Sequence, residues 1–194
     1  MNRDKRQIRA ITSDFKTRND EEGPIIEGYF AVFNTNYEMW PGCTESIAPG
    51  AFTDTLSGDV RALIDHDTRL VIGRTTARTL TLEENQRGLW GQIRINPKDT
   101  DAMNLYARVE RGDVSQCSFG FSIVDEEYEH REDGTDHFTI KKVDLYEVSC
   151  CTFPAYEETA ISARKADIAK YEERTLSAWK ETAKNKLKEV IGDA

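Results

Sequence analysis

Ser118 has the surroundings that a catalytic serine in a strand requires. The segment from Cys117 to Val124 alternates in polarity, so that Ser118, Gly120 and Ser122 share one face while the phenylalanines share the other. A glycine two residues from the hydroxyl leaves room for a substrate backbone to approach it. The same alternation is typical of a strand whose hydroxyl face meets solvent, so this segment alone leaves a nucleophile and a surface serine both open.

His66 is the histidine best placed to act as a general base for Ser118. It ends a predicted strand, Asp59 to Asp65, whose apolar residues recur with period 2 and point to the same side as the imidazole. The other two histidines lie in or beside a charged turn, which is typical of a solvated position. A histidine on an apolar face is also often a hydrogen-bonded core residue, and that alternative stays open.

Glu147 is the candidate for a third catalytic group. It lies in a predicted strand, Leu145 to Phe153, where an ionised carboxylate is costly unless a partner binds it. A carboxylate that accepts one imidazole N–H leaves the other ring nitrogen able to deprotonate a serine. An outward-facing strand carboxylate explains the same residue equally well.

Cysteine and metal chemistry are less favoured by the pattern. Cys117 adjoins Ser118 and is intrinsically the better nucleophile, but period 2 places its side chain among the phenylalanines, where a thiol is inert. Cys150 and Cys151 point to opposite faces of their strand and are expected to be structural. The acidic residues on either side of His66 cannot converge on one metal ion, and the sequence predicts no cofactor.

Composition is that of an ordinary globular domain. The chain has 194 residues, of which 38% are hydrophobic and 31% charged. Its 26 Lys and Arg against 35 Asp and Glu give a net charge of -9, which repels a phosphate backbone and predicts no nucleic-acid partner. No apolar run reaches the ~20 residues that cross a bilayer, and the charged start lacks the apolar core of a signal peptide, so a cytoplasmic protein away from membranes is expected.

Periodicity predicts seven or eight strands and one internal helix. The strands are expected at residues 7–18, 25–34, 59–65, 71–82, 88–95, 117–124, 137–143 and 145–153. The helix is expected from Asp99 to Gly112, and residues 40–56, rich in Pro and Gly, are expected to form an ordered loop. This count suits a mainly β member of the α+β class, a closed or nearly closed antiparallel β-barrel of about seven strands with surrounding helices.

Beyond Pro154 the composition shifts to Ala, Glu, Lys and Arg with helical spacing of the apolar residues, which predicts a long C-terminal helix. We therefore expect a β-barrel domain of residues 1–163 and a helical tail of residues 164–194.

Six short segments follow one another in one order and with compatible spacing. They are S-I-A-P-G-A-F at 46–52, L-I-D-H-D at 63–67, I-G-R-T at 72–75, G-L-W at 88–90, S-F-G-F-S at 118–122 and L-Y-E-V-S at 145–149, with F-P-A after them. Together, over about residues 25 to 160, they resemble the procapsid-maturation (prohead) serine proteases of tailed bacteriophages, a family similar to the herpesvirus assembly proteases.

The resemblance implies a barrel with a serine nucleophile on an interior strand. The family's order of histidine, serine and a third polar residue falls on His66, Ser118 and Glu147; in the herpesvirus branch the third member is a second histidine, and no histidine follows His137 here. The implied activity is that of a serine endopeptidase working through an acyl-enzyme on Ser118.

The resemblance also implies where and on what the protein acts. The expected partners are the phage major capsid protein and its scaffolding segment, which the protease removes inside the procapsid, in the cytoplasm of the bacterial host, before it cuts itself. The herpesvirus relatives imply a homodimer. The tail from about Arg164 is a candidate for docking to the scaffold or for removal by self-cleavage, and equally for packing on the barrel or on a second subunit.

Two other functions fit the same segments. One is a non-catalytic capsid or scaffold assembly component that keeps the fold. The other is a cysteine peptidase that uses Cys117 with His66.

Overall fold

Strands dominate the protein. The computed structural model describes residues 6–12, 15–153 and 158–192. These residues form β1 (Gln7–Thr12), β2 (Lys16–Asp20), β3 (Gly23–Val32), β4 (Tyr37–Trp40), β5 (Cys43–Ile47), β6 (Arg61–Ile64), β7 (Asp67–Arg74), β8 (Leu80–Glu84), β9 (Gly88–Arg94), α1 (Thr100–Arg111), β10 (Gln116–His130), β11 (Asp136–Cys151) and α2 (Glu158–Gly192).

Strand β11 organises the larger of two sheets. On one edge it pairs antiparallel with β10, which in turn pairs with β1. On the other edge its first part pairs parallel with β5 and its last part pairs parallel with β6. Strands β4 and β7 extend the sheet beyond β5 and β6. The smaller sheet is antiparallel, in the order β2-β3-β9-β8.

The predicted closed barrel is wrong, although a mainly β fold is confirmed. Among the described residues, β1 and β4 end the main path of the larger sheet, β2 and β8 end the smaller one, and no ladder closes either sheet. The prediction counted strands and assumed antiparallel neighbours. Two of the pairings of β11 are parallel, and parallel pairs need long connections that strand periodicity does not reveal. Strand β5 also lies in the segment that was expected to be a loop, and β4 ends at its first residue, Trp40.

The apolar faces of both sheets share one core, which helix α1 joins. The core includes Phe30 and Ile93 from the smaller sheet, Phe119 and Phe121 from the larger sheet, and Leu105 from the helix. Each fully buried side chain of this size stabilises the fold by about 1.5–3 kcal/mol relative to an exposed one. The predicted apolar face of β10 is therefore confirmed.

Helix α1 is confirmed with both of its predicted ends. Asp99 accepts hydrogen bonds from the backbone N–H groups of Asp101 (3.0 Å) and Ala102 (3.2 Å), as a capping residue does. Gly112 ends the helix with a φ of 88°, which glycine adopts without strain. By contrast, β10 and β11 extend beyond the strands expected at 117–124 and 137–143, so the turn between them is shorter than those bounds imply.

The chain divides into two compact units, residues 2–156 and residues 157–194. The second unit contains α2, which begins before the expected start of the tail. The division into a protease domain of residues 1–163 and a tail of residues 164–194 stays a prediction. Within the described part of the chain, no helix has the length and apolar character needed to span a membrane.

Candidate active site

A tight turn between β6 and β7 positions His66. Ile64 pairs with Asp67 across the hairpin, and the two residues between them, Asp65 and His66, have φ values of 47° and 61°. Two consecutive positive φ values are characteristic of the two-residue type I′ turn, and Asp and His enter this region more readily than most residues. His66 is therefore a turn residue rather than the end of a strand, which corrects the sequence-based placement.

The turn is fixed to the end of β11. The carboxylate of Asp65 accepts hydrogen bonds from Thr152 N (2.7 Å) and from Thr152 Oγ1 (3.0 Å), and Asp65 N donates to the Cys150 carbonyl at 3.0 Å. Three hydrogen bonds between two short segments leave the backbone of the turn little freedom. This attachment fixes the backbone position from which the His66 side chain extends.

Glu147 is the partner of His66. Its Oε1 lies 2.7 Å from His66 Nδ1, and its Oε2 accepts a 2.7 Å hydrogen bond from Ser149 Oγ. Because an ionised carboxylate only accepts, the Nδ1 atom carries a proton, and Nε2 is then the basic nitrogen of the neutral form of the ring. The sequence left this contact and an outward-facing carboxylate equally open, and the structure has the contact.

The carboxylate of Glu147 is held in its charged form. Glu147 is only 2% exposed, and burial alone would raise the pKa of its carboxyl group. The hydrogen bonds from His66, Ser149 and Arg6 act in the opposite direction and leave the pKa below its usual value. Arg6 Nη2 lies 2.6 Å from Oε1, the same oxygen that faces His66.

Ser118 lies in β10 and His66 follows β6, two strands that pair with opposite edges of β11. Ser118 pairs with Ser149 in the ladder between β10 and β11, and Gly120 pairs with Glu147. Directly opposed residues of an antiparallel pair point to the same face, so Ser118 shares its face with Ser149 and Glu147. The backbones that carry Ser118 and His66 are thus separated by two strand spacings of about 4.8 Å each.

The structure does not join Ser118 to His66 by a hydrogen bond. Among the described residues, Ser118 Oγ donates to the carbonyl oxygen of Arg9 at 2.8 Å, and Ser118 is fully buried. The sequence-based alternative of a solvent-facing serine is therefore wrong. His66, Glu147 and Ser118 lie on one face, with the first two in contact and the third directed elsewhere.

Gly120 has a different neighbourhood from the one its sequence position indicated. A side chain at this residue would overlap Glu147 Oε1, and its Cβ would lie 2.7 Å from Arg6 Nε. The missing side chain therefore makes room for the buried carboxylate and for Arg6. Any space for a substrate at this point depends on Arg6 moving away.

Three of the cysteines, Cys117, Cys150 and Cys151, lie on the two strands that carry Ser118 and Glu147. Cys117 is buried in the core and pairs with Cys150 in the ladder. Cys151 Sγ lies 3.7 Å from His66 Nε2, a contact that the sequence analysis did not predict. Burial, and after it the charges of Asp65 and Glu147, raise the pKa of the Cys151 thiol to about 12, so that it stays protonated at neutral pH.

Three site residues were missed by sequence reasoning, and two of them carried a signal. Ser149 and Cys151 follow Glu147 at intervals of two, and period 2 places all three on one face of a strand. Arg6 carried no signal, because its role depends on β1 pairing with β10. Among the described residues no cluster of three or more His, Cys, Asp or Glu side chains is arranged to hold a metal ion.

Comparison with known proteins gives consistent matches. The family model described as Caudovirus prohead serine protease matches residues 13–174. The prohead protease of Enterobacteria phage HK97 is 31% identical over 158 residues, which are 79% of this chain and 66% of that protein. The prohead protease of Escherichia phage T5 is 29% identical over 104 residues, 54% of this chain and 45% of that protein. The chain thus spans under two thirds of the length of both relatives. No solved structure matches the chain. By the extent of the family match, the chain belongs to the prohead serine proteases of the tailed phages.

Proposed function

We propose that the protein is a serine endopeptidase that cuts the scaffolding segment from the capsid protein of its phage during procapsid maturation, and that it also cuts itself. Membership of the prohead protease family supports the biological task. The observation that carries the chemistry is the 2.7 Å contact between His66 Nδ1 and Glu147 Oε1, which leaves Nε2 of the same ring able to accept a proton.

In the proposed reaction Ser118 attacks the peptide carbonyl. Its Oγ forms a bond to the carbonyl carbon, and its proton passes to His66 Nε2. The imidazolium, stabilised by the Glu147 carboxylate, returns this proton to the leaving amine as the C–N bond breaks. Water then repeats the sequence: its proton passes to His66, its oxygen bonds to the acyl carbon, and Ser118 Oγ leaves with the proton.

The partners and the setting belong to the same proposal. The substrate is the capsid protein with its scaffolding segment, and the reaction takes place inside the procapsid in the bacterial host. The similarity of the family to herpesvirus assembly proteases supports a homodimer. Neither a metal nor another cofactor takes part in the proposed steps.

Co-expression with the capsid protein of the phage tests the activity. We expect a shortened capsid protein on a gel with the unaltered chain, and its loss by orders of magnitude with Ser118→Ala and with His66→Ala. Ser122→Ala is the matched control, because Ser122 lies on the same strand and bonds Tyr146 instead (2.8 Å). Unchanged processing with Ser118→Ala would leave a non-catalytic component of this fold as the better explanation.

Labelling separates serine from cysteine chemistry. A fluorophosphonate should modify the protein at Ser118, and a thiol alkylator should leave processing intact. The core position of Cys117 argues against its use as a nucleophile, since its thiol is buried in the hydrophobic core with Phe119 and Phe121. Loss of activity in Cys117→Ala, with Ser118→Ala unaffected, would contradict the serine mechanism.

A further inference from the structure

Strand β1 covers the hydroxyl that the proposed function requires. It runs antiparallel to β10 with Ala10 directly opposite Ser118, and Ser118 has no exposed surface. The Ser118 hydroxyl donates to the Arg9 carbonyl at 2.8 Å. Because a carbonyl oxygen can only accept, the proton that catalysis would send to His66 is directed at β1.

Arg6, immediately before β1, acts on the other half of the same machinery. Its Nη2 lies 2.6 Å from Glu147 Oε1, the oxygen to which His66 Nδ1 donates. A guanidinium at this oxygen neutralises the carboxylate and repels a protonated imidazole. Since the proposed reaction passes through an imidazolium, Arg6 opposes the step in which His66 takes a proton.

A buried ion pair anchors β1 in this position. Arg9 donates from Nε to Glu45 Oε1 (2.5 Å) and from Nη2 to Glu45 Oε2 (2.9 Å), and both residues are buried. A two-pronged pair of this kind fixes orientation as well as position. Among the described residues the strand nevertheless lies at the edge of its sheet and pairs with β10 alone, so its departure would break a single ladder.

We propose that β1 is an autoinhibitory strand: it occupies the edge of β10 at which an extended substrate peptide pairs, and it must leave before the peptide reaches Ser118. The idea rests on the proposed function, because it takes Ser118 as the nucleophile. An edge exposed by the loss of β1 presents main-chain donors and acceptors, which an extended peptide satisfies by adding a strand. Departure of β1 also removes the Arg9 carbonyl that accepts the Ser118 proton and the Arg6 guanidinium that contacts Glu147, so that both groups can act with His66.

A single cysteine can lock β1 in place. Ile11 is the ladder partner of Cys117, and directly opposed residues in antiparallel strands have Cα atoms about 4.5–5.5 Å apart, within the range of a disulfide. In the full chain with Ile11→Cys, peptide mapping shows whether residues 11 and 117 are joined after oxidation. We expect the oxidised form to react with a fluorophosphonate at least about tenfold more slowly than the same protein after reduction. The disulfide removes the fraction of molecules in which β1 has left β10, and only these molecules react.

The unaltered chain, oxidised and reduced in parallel, is the matched control. Cys117 also pairs with Cys150, and this control measures any effect of oxidation that does not involve residue 11. A second variant opens the site instead of closing it. We expect Arg6→Gln to raise the rate of labelling, whereas Arg18→Gln, which removes an arginine bonded to Glu27, leaves the rate unchanged.

The outcomes separate the two proposals. Equal labelling of the locked and reduced forms, abolished in both by an added Ser118→Ala, would overturn the autoinhibitory role of β1 and leave Ser118 as the nucleophile. Labelling that survives Ser118→Ala would instead overturn the proposed function. Slow labelling of the locked form with faster labelling of Arg6→Gln supports the displacement of β1.

Discussion

Replacing Glu147 by Gln removes a charge from the site while its hydrogen-bond pattern survives. At Oε1 the proton on His66 Nδ1 requires an acceptor, and Arg6 Nη2 is a second donor there only while β1 is in place. In the unaltered protein the Ser149 hydroxyl donates to Oε2, but a hydroxyl group can rotate and accept a hydrogen bond instead. The amide of Gln therefore places its oxygen toward His66 and its NH2 toward Ser149. The imidazole keeps its proton on Nδ1, and Nε2 remains a base.

The expected loss follows from charge alone. A hydrogen bond to a charged group contributes about 1.5–3 kcal/mol and a neutral one about 0.5–1.5 kcal/mol, so the imidazolium loses roughly 1–2 kcal/mol of stabilisation. This corresponds to a rate about 5- to 30-fold lower. Glu147→Ala removes the acceptor altogether and lets the ring take the wrong tautomer, for which we expect a loss of about 1,000-fold or more.

The assay is the rate constant for fluorophosphonate labelling of Ser118, with cleavage of the capsid protein as a second readout. Adding Ser149→Ala to Glu147→Gln removes the acceptor for the amide NH2 and should slow the reaction further, whereas Ser149→Ala alone costs less, because both carboxylate oxygens are acceptors. Glu84→Gln is the control for loss of a carboxylate, since Glu84 bonds the N–H of Phe52 away from this site. A Gln variant as slow as the Ala variant would refute the tautomer argument, and an active Ala variant would remove Glu147 from the mechanism.

Two further results follow from the pKa shifts. Burial, and after it the charge of Arg131, lower the pKa of His137, whose ring contacts Ser46 Oγ at 2.9 Å. The unfolded chain therefore binds more protons than the folded one, and the free energy of unfolding should fall as the pH drops below about 6.5. Urea titrations at several pH values should show a smaller fall for His137→Gln. A pKa of about 12 keeps the Cys151 thiol protonated, so iodoacetamide at pH 7 should leave labelling of Ser118 unchanged, and inactivation accompanied by alkylation of Cys151 would contradict this.

Local patterns gave correct predictions where neighbours in sequence decide the structure. Helix α1 depends on Asp99, Gly112 and helical spacing, all of which are local. The buried face of β10 follows from period 2. The contact between Glu147 and His66 was one of two alternatives that the sequence left open, because a buried carboxylate needs a donor and an outward-facing one does not, and the structure has the contact.

Pairing between distant segments could not be read from the sequence. The parallel ladders of β11 with β5 and β6 depend on contacts between residues 93 and 86 positions apart, such as Asp136 with Cys43 and Glu147 with Arg61, which leave no periodic pattern in the sequence. The closed barrel was wrong for this reason. The hydrogen bond from Ser118 to Arg9 was missed in the same way, since it depends on β1 pairing with β10 across more than 100 residues.

The two edges of β11 differ in how firmly they hold the proposed catalytic groups. On one edge, the parallel pairing with β6 delivers the turn of His66 to the end of β11, where Asp65 and Thr152 fasten it. The base and its carboxylate are therefore assembled by the body of the fold. On the other edge, Ser118 is bounded by β1, which within the described part of the chain pairs with β10 alone. Displacing His66 would require a break at the centre of the sheet, whereas uncovering Ser118 and freeing Glu147 from Arg6 requires only that an edge strand leave. Control of this site is accordingly expected at β1 rather than at the strand pairing that holds the base.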